Sequence, residues 1–427
     1  MEKYINMTTI NIIQDVDYVS DSREIINDNF ESLNTNKQEI ESGKGLSTND
    51  FITAYKDKLV DLAPNYSLTP DLVDDIQDTL DEIALNGGGI LYLLPGTYTL
   101  TSNINIPSGV ELSGTSRDNC IIECVDYSIN MKGGDTYSIG TVSISNGDTT
   151  LIGDGTTFVN TMVDSSIWLD GYWYLITAFT STTELEIEEY GGVDLTNSDY
   201  VIADINTNSI VSNLTIQNSS GVGILCEYSR EPILNDVNIS GCATGIDMNY
   251  VLFPSLLCSS YSNGINLDMN FVEGYKIDFS EFSFSTTGAG VVMTNTRNAI
   301  IINSSITYNT GEGITLTNCS KLPFIACDIS YNGTSGIEFI SDCYDNQINN
   351  TICSHNGTNG IKLTATSDRN ILNSLTVTDN GTFGITISNG NCDNNILLGV
   401  IASGNVSGSL SDSGTGTLKN AAVNILP

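Results

Sequence analysis

Three stretches of the chain read almost alike: Asn332-Gly-Thr-Ser-Gly-Ile-Glu-Phe339, Asn356-Gly-Thr-Asn-Gly-Ile-Lys-Leu363 and Asn380-Gly-Thr-Phe-Gly-Ile-Thr-Ile387. They begin 24 residues apart. Working outward, the Gly of a Gly-Ile or Gly-Val pair recurs at Gly223, Gly245, Gly264, Gly290, Gly313, Gly336, Gly360 and Gly384, with a degenerate ninth at Gly408. The intervals are 22, 19, 26, 23, 23, 24, 24 and 24 residues. A period in the low twenties marks one supersecondary unit stacked on itself. Leucine-rich repeats share that period but need Leu-x-x-Leu-x-Leu and a helical return, and the chain has neither. Three short strands per turn fit instead, which makes the fold mainly β, a parallel β-helix.

The columns of the repeat agree. One residue after each Gly stand Ile224, Ile246, Ile265, Val291, Ile314, Ile337, Ile361 and Ile385, and the third residue after is also apolar. Between them lie Leu225, Asp247, Asn266, Val292, Thr315, Glu338, Lys362 and Thr386. Inward, outward, inward is the period of a strand. Four residues before the Gly, Asn309, Asn332, Asn356 and Asn380 recur. Asn tolerates left-handed backbone at a tight corner, and stacked amides can bond along the axis.

Composition excludes several function classes. Fifteen basic against 51 acidic residues give a net charge of −36, which repels nucleic acid and anionic membrane. It also argues against a basic groove for a polyanionic polysaccharide. No apolar run approaches the roughly 20 residues of a spanning helix, and the N-terminus, MEKYINMTTINIIQDVDYVSDS, shows no secretory signal. The ten cysteines are scattered, without a Cys-x-x-Cys pair, and read as buried free thiols. No cofactor motif and no metal-ligand spacing stands out.

Four regions follow. Residues 1–66 carry helical signals: Asp21 or Ser22 caps a helix running to about Gly43, and Ile26, Leu33 and Ile40 form a thin heptad seam. That seam suits either a short parallel coiled coil or a helix lying on a neighbour. Ser47 or Thr48 caps a second short helix. Residues 67–134 begin with a third helix, capped by Thr69 with Pro70 at its first position. Leu72, Val73, Ile76, Leu80 and Ile83 form its apolar face, and Gly87-Gly88-Gly89 stops it. Residues 135–205 alternate apolar and polar residues between turns and read as a small inserted antiparallel β domain. Both tryptophans, Trp168 and Trp173, lie there, and a place in its core is expected. Residues 206–427 hold the repeat, whose register fades in GSLSDSGTGTLKNAAVNILP, a capping or docking segment.

The stretch Ile76–Gly114, IQDTLDEIALNGGGILYLLPGTYTLTSNINIPSGVELSG, resembles the opening of the pectate-lyase-like right-handed β-helices. The resemblance implies a right-handed rod with a capping helix, but the fold hosts lyases, hydrolases, epimerases and non-enzymatic adhesins alike. Residues 27–59, NDNFESLNTNKQEIESGKGLSTNDFITAYKDKL, are similar to segments of bacteriophage tail fibres and baseplate-proximal proteins, and 141–158 to small β modules of phage tail proteins. These resemblances imply a tailspike or tail fibre: a homotrimer made in the host cytoplasm and carried in the virion. It would join other tail or baseplate proteins through residues 1–66 and recognise a host-surface polysaccharide or receptor.

Catalytic signals are sparse. His355 is the chain's single histidine, which argues against a triad mechanism; it falls in a turn column with Tyr308, Tyr331 and Asp379. Pectate lyases use clustered acidic calcium ligands and an Arg base, and no cluster of that kind stands here, so none of their catalytic residues is carried over. Glu338 and Lys362 should form a surface ion pair between turns. The candidate site is the stretch 247–284, where the intervals of 19 and 26 break the rhythm. Asp247, Asp268, Glu273, Asp278 and Glu281 are the candidate catalytic carboxylates, interleaved with Tyr250, Tyr261, Phe271 and Tyr275 as candidate sugar-binding rings. Glycoside hydrolysis needs two carboxylates flanking one bond, and stacked turns can supply them. Three functions follow: recognition of a glycan or receptor, depolymerisation of capsule or lipopolysaccharide, or a purely structural role in a baseplate or fibre.

Overall fold

The computed structural model describes residues 65–134 and 136–419. The expected helices and heptad seam before residue 65 lie outside the described residues. Asn65 and Tyr66, placed by sequence in the helical region, belong instead to a strand, Asn65–Leu68, which pairs in parallel with Gly89–Leu93.

From there the chain winds as a stack of parallel strands with three faces. One face runs through Gly89–Leu93, Val110–Gly114, Ile210–Ser212 and onward; the second holds Cys120–Val125 and Thr215–Ser219. In two turns a single strand, Ile233–Ser240 or Ser255–Tyr261, spans both. The third face, on a sheet of its own, stacks eleven strands from Ile104–Asn105 to Gly408–Asp412. At about 4.8 Å per turn, that face is roughly 48 Å tall. Its strands Gly408–Asp412 and, on the first face, Leu418–Lys419 stay in register with the turn below, so the repeat continues to the last described residues rather than fading. The ten cysteines are all buried and free.

The N-terminal end of the core is closed by helix α1, Ile76–Leu85, entered through a 3-10 turn at Pro70–Asp75. Ile76, Leu80 and Ile83 are fully buried against Leu91, Val110 and Leu112, whereas Leu72 stays exposed because the 3-10 turn rotates it off the apolar face. The glycine stop is steric as well as conformational. Gly88 has φ +98°, and a Cβ there would lie 2.6 Å from the Gly109 carbonyl oxygen.

The inserted module is one eight-stranded antiparallel sheet between Thr136 and Ala203, with its own core around Phe158, Ile167, Leu169, Leu185 and Tyr190. The chain leaves the rod after Ile129–Lys132 and returns at Asn206–Thr207. Both strands lie beneath Val222–Arg230, at Ile224–Glu227 and at Ser229–Arg230. The module therefore replaces one corner of one turn, the position that Tyr228 fills in the next. A Cβ on Gly133 would lie 2.2 Å from the Asp204 carbonyl oxygen, so the exit needs glycine.

The corners set the shape. On successive turns the residue at a given corner has positive φ, and most of these residues are not glycine. One such column is Tyr228, Tyr250, Phe271, Asn295 and Asn318; another is Phe284, Tyr308, Tyr331, His355 and Asp379. The asparagines of the repeated phrase were expected at these corners, but the left-handed residue is the one just before them. Asn309, Asn332, Asn356 and Asn380 turn inward and are at most 2% exposed. Each Nδ2 donates to the Oδ1 of the next, at 2.9 Å from Asn309, 3.1 Å from Asn332 and 3.1 Å from Asn356, and each Oδ1 also accepts the backbone N–H of the asparagine below. The amides satisfy the backbone that the corner exposes, which is why Asn recurs there.

Asn356→Ala removes the acceptor of two buried donors on Asn332. At about 1–3 kcal/mol for each orphaned group, it should lower the denaturant midpoint clearly. Lys362→Ala, which breaks the Glu338 ion pair of 2.8 Å, should shift it by less than about 1 kcal/mol. Equal effects of the two variants would show that the amide ladder is not what secures the corner.

Candidate functional site

The register of the third face changes the reading of the site. Ile246 pairs with Leu267, not Ile265, and Leu267 with Val291. The position of Gly245 is therefore filled in the next turn by Asn266, and the true intervals are 266 − 245 = 21 and 290 − 266 = 24. The rhythm is not broken at 247–284; a fortuitous Gly264-Ile265 pair two residues early made it look so. The last turn slips too, since Ile385 pairs with Leu410, which puts Ser409 rather than Gly408 in the glycine position.

The corrected register brings Asp247 and Asp268 side by side in one outward column. Leu225 stands below Asp247 and Val292 above Asp268, so two carboxylates are held between apolar side chains with no cation on either flanking turn of the column. Burial pushes the Asp247 carboxyl up to about 6, helped by the charges of Asp268 and Glu227. Asp268 is also raised by burial, partly offset by a hydrogen bond from the Met269 backbone. The neighbouring column is polar: Glu227, ion-paired with Lys132 at 2.6 Å, then Asn249 and Asn270, whose amides bond at 3.1 Å.

The other three carboxylates are not part of this pair. Glu273 is 2% exposed at the junction with the module: Asn298 Nδ2 donates to its Oε1 at 2.5 Å, and Arg297 Nε lies 3.4 Å from its Oε2. Burial raises its pKa, against the lowering effects of Asn298, Arg297 and Tyr172. Asp278 is on the first face, paired with Lys276 at 3.0 Å, and Glu281 is exposed on the second, accepting from Ser283. The five acids fall on different sides of one rod because the chain turns twice between 268 and 281.

The candidate rings divide in the same way. Tyr275 is 1% exposed, in the core with its hydroxyl against Met293 Sδ, and cannot reach a surface ligand. Tyr261 ends the strand Ser255–Tyr261, away from the acid pair. Tyr250 stacks on Tyr228 at a centroid distance of 5.7 Å, and Phe271 on Tyr250 at 4.7 Å. Tyr228 and Tyr250 are covered in turn by the module. Trp168 and Trp173 face one another across a hairpin and pack edge-on to Tyr250 and Tyr228 at 5.7 and 6.4 Å. The tryptophans are thus the contact between module and rod, clustered with Leu252, rather than the module's own core. Sequence alone gave no signal for this docking. The same hairpin carries Asp170, whose Oδ1 accepts from Arg297 at 3.2 Å.

A second aromatic ladder, Phe284, Tyr308, Tyr331 and His355, stacks at 5.2, 4.9 and 4.7 Å with its edges half exposed. Both faces of Tyr308 and Tyr331 are occupied by neighbouring rings, so these two offer only edges to solvent. His355 Nε2 ends 4.0 Å from Asp379 Oδ2. Among the described residues no group of His, Cys, Asp and Glu is arranged to hold a metal ion.

The raised pKa of Asp247 gives a signed expectation. Its folded state holds the proton more tightly than the unfolded chain, so this residue's share of stability is fully present below about pH 4 and is lost as pH rises through about 6. Asp247→Asn should therefore melt higher than the parent at pH 8, and the gap should close on acidification to pH 4. A gap that stays constant across that range would mean Asp247 is not perturbed.

Residues 64–250 match a rhamnogalacturonase A/epimerase, pectate lyase-like family model, and residues 256–401 match a right handed beta helix region. Among solved structures, two mannuronan C-5 epimerase A-modules of Azotobacter vinelandii, AlgE6 and AlgE4, each share 15% identity over 82% of this chain and 95% of theirs, with TM-scores of 0.52 and 0.53. The Gp54 tailspike of Acinetobacter baumannii bacteriophage AP22, solved with capsular saccharide, shares 10% identity over 89% of this chain and 79% of that one, at a TM-score of 0.43. No curated protein matches by sequence. The chain folds as a right-handed parallel β-helix whose residues 64–250 are similar to the pectate lyase-like model.

Proposed function

We propose that this protein is a phage tail receptor-binding protein that recognises a host-surface glycan on its third face, beside the inserted module. The observation that carries the reading is the outward column pair Asp247–Asp268 and Asn249–Asn270, a surface of acceptors and amides walled on one side by the docked hairpin. Carboxylates and amides hydrogen-bond sugar hydroxyls well. The lysines of these columns, Lys132 and Lys362, are both ion-paired, so the face suits a neutral or amine-bearing glycan better than a polyanion. The tail assignment rests on the resemblance of residues 27–59 and 141–158 to phage tail proteins. Attachment to other tail or baseplate proteins through residues 1–66, and a homotrimer, are parts of the same proposal.

A second reading, depolymerisation, is favoured by one observation. Asp247 and Asp268 sit one turn apart, about 4.8 Å along the axis, near the roughly 5–5.5 Å of a retaining carboxylate pair. In that reading Asp247, with its raised pKa, gives a proton to the leaving oxygen, and Asp268 attacks the anomeric carbon.

Capsule and lipopolysaccharide from candidate hosts, incubated with the purified full chain, separate the readings. Recognition predicts retention of one glycan without shortening, weakened about tenfold by Asp268→Asn. Shortening by the parent that Asp268→Asn abolishes would establish cleavage instead. Retention left unchanged by Asp247→Asn and Asp268→Asn would place the glycan elsewhere on the rod, and no retention of any surface glycan would leave the structural role.

A further inference from the structure

A pocket of about 260 Å³ opens where the tip of the module's hairpin meets the rod, one turn above the acid pair and round the corner from it. Its floor is Phe271, the last ring of the Tyr228–Tyr250–Phe271 stack. That ring has an aromatic neighbour on one side only, because the corner column continues as Asn295 and Asn318. The amides of those two asparagines bond in series, Asn318 Nδ2 to Asn295 Oδ1 at 2.6 Å and Asn295 Nδ2 to Asn270 Oδ1 at 3.1 Å, and both residues line the pocket. Tyr344 closes the upper wall, braced by the Arg369 guanidinium 5.5 Å from its ring centroid.

The pocket's one cation is engaged before any ligand arrives. Arg297 lines it but is held by Asp170 at 3.2 Å and Glu273 at 3.4 Å, so one cation faces two carboxylates. An added anion would meet net negative charge, and an added cation would compete with Arg297 for the same oxygens. A neutral ligand with hydroxyls avoids both penalties. The volume lies below the roughly 300–1,000 Å³ that hold drug-sized ligands, and a ring floor with amides on the wall is the pairing that a sugar, with one apolar face and a polar rim, can satisfy.

We propose that this junction pocket binds a single neutral pyranose, a terminal or branch unit of the glycan recognised on the third face, and that the module hairpin exists in this position to build it. The inference rests on the glycan-binding reading above. It adds that the module and rod form one site, with Asp170 reaching across to hold Arg297 in place.

The test uses the full chain and four neutral probes, glucose, galactose, mannose and N-acetylglucosamine, with glucuronate as the anionic comparison, followed by ligand-observed NMR. One neutral probe should bind with a dissociation constant of about 1–10 mM, and glucuronate at least tenfold more weakly. Tyr344→Ala and Asn318→Ala should each weaken that probe tenfold or more while leaving the melting midpoint near the parent's. Absence of binding by all four neutral probes at 50 mM overturns the proposal, as does glucuronate binding equal to the best of them. If a polymeric glycan is retained but Tyr344→Ala does not weaken it, the pocket fails and the glycan reading stands. If a monosaccharide binds as described but no polymer is retained, the reverse holds.

Discussion

The left-handed corner is the constraint on which this rod depends. A strand must turn sharply three or more times per winding, and for residues other than glycine left-handed backbone costs about 1–2 kcal/mol each. The chain accepts that cost turn after turn. What offsets it is repetition: the N–H of each corner residue donates to a carbonyl of the next turn, as Tyr331 does to Ser354 and His355 to Thr378, at 3.0 and 3.1 Å. Stacked rings, or the buried asparagine ladder beside them, add contact that one isolated corner would lack.

The same constraint explains where the module sits and what it covers. A corner is the one place in a turn where the chain can depart and return without breaking a sheet, and Gly133 provides the clearance. Once outside, the module has to rest on something, and it rests on the corner column of the turns that follow. The rings Tyr228 and Tyr250 are corner residues first and a docking surface second. The place of Tyr250 in the sequence reads like that of a sugar-binding aromatic because the features that make a corner ring half exposed also make it available to a neighbour.

Much of the fold was legible from local signals that repeat. Columns from Gly290 to Gly384, the capping helix and the module follow from periodicity and turn residues, since each signal is local and repeats. The site was less legible. Gly264-Ile265 mimics the phrase two residues early, so Asp268 was assigned no partner although it stands beside Asp247. Tyr275 and Glu273 look like surface residues in sequence but are buried, because which side of a turn faces the core depends on how many residues each corner consumes. The contact between Trp173 and Tyr228 joins positions 55 residues apart, and no periodicity carries that information.

The asparagine ladder reaches both ways. From Asn309 to Asn380 each Nδ2 gives one proton upward to the next asparagine's Oδ1 and the other downward to a backbone carbonyl of the turn beneath, as Asn332 does to Ile306 and Asn356 to Ile329, both at 3.1 Å. Stripping away the uppermost turn therefore bares two donors on the turn beneath, and stripping the lowest bares an amide donor on the turn above. Unpaired buried donors are a rare and poorly tolerated fault. The ladder is for that reason a clasp that each turn closes on both neighbours: fraying from either end meets a loss of the same kind at every turn.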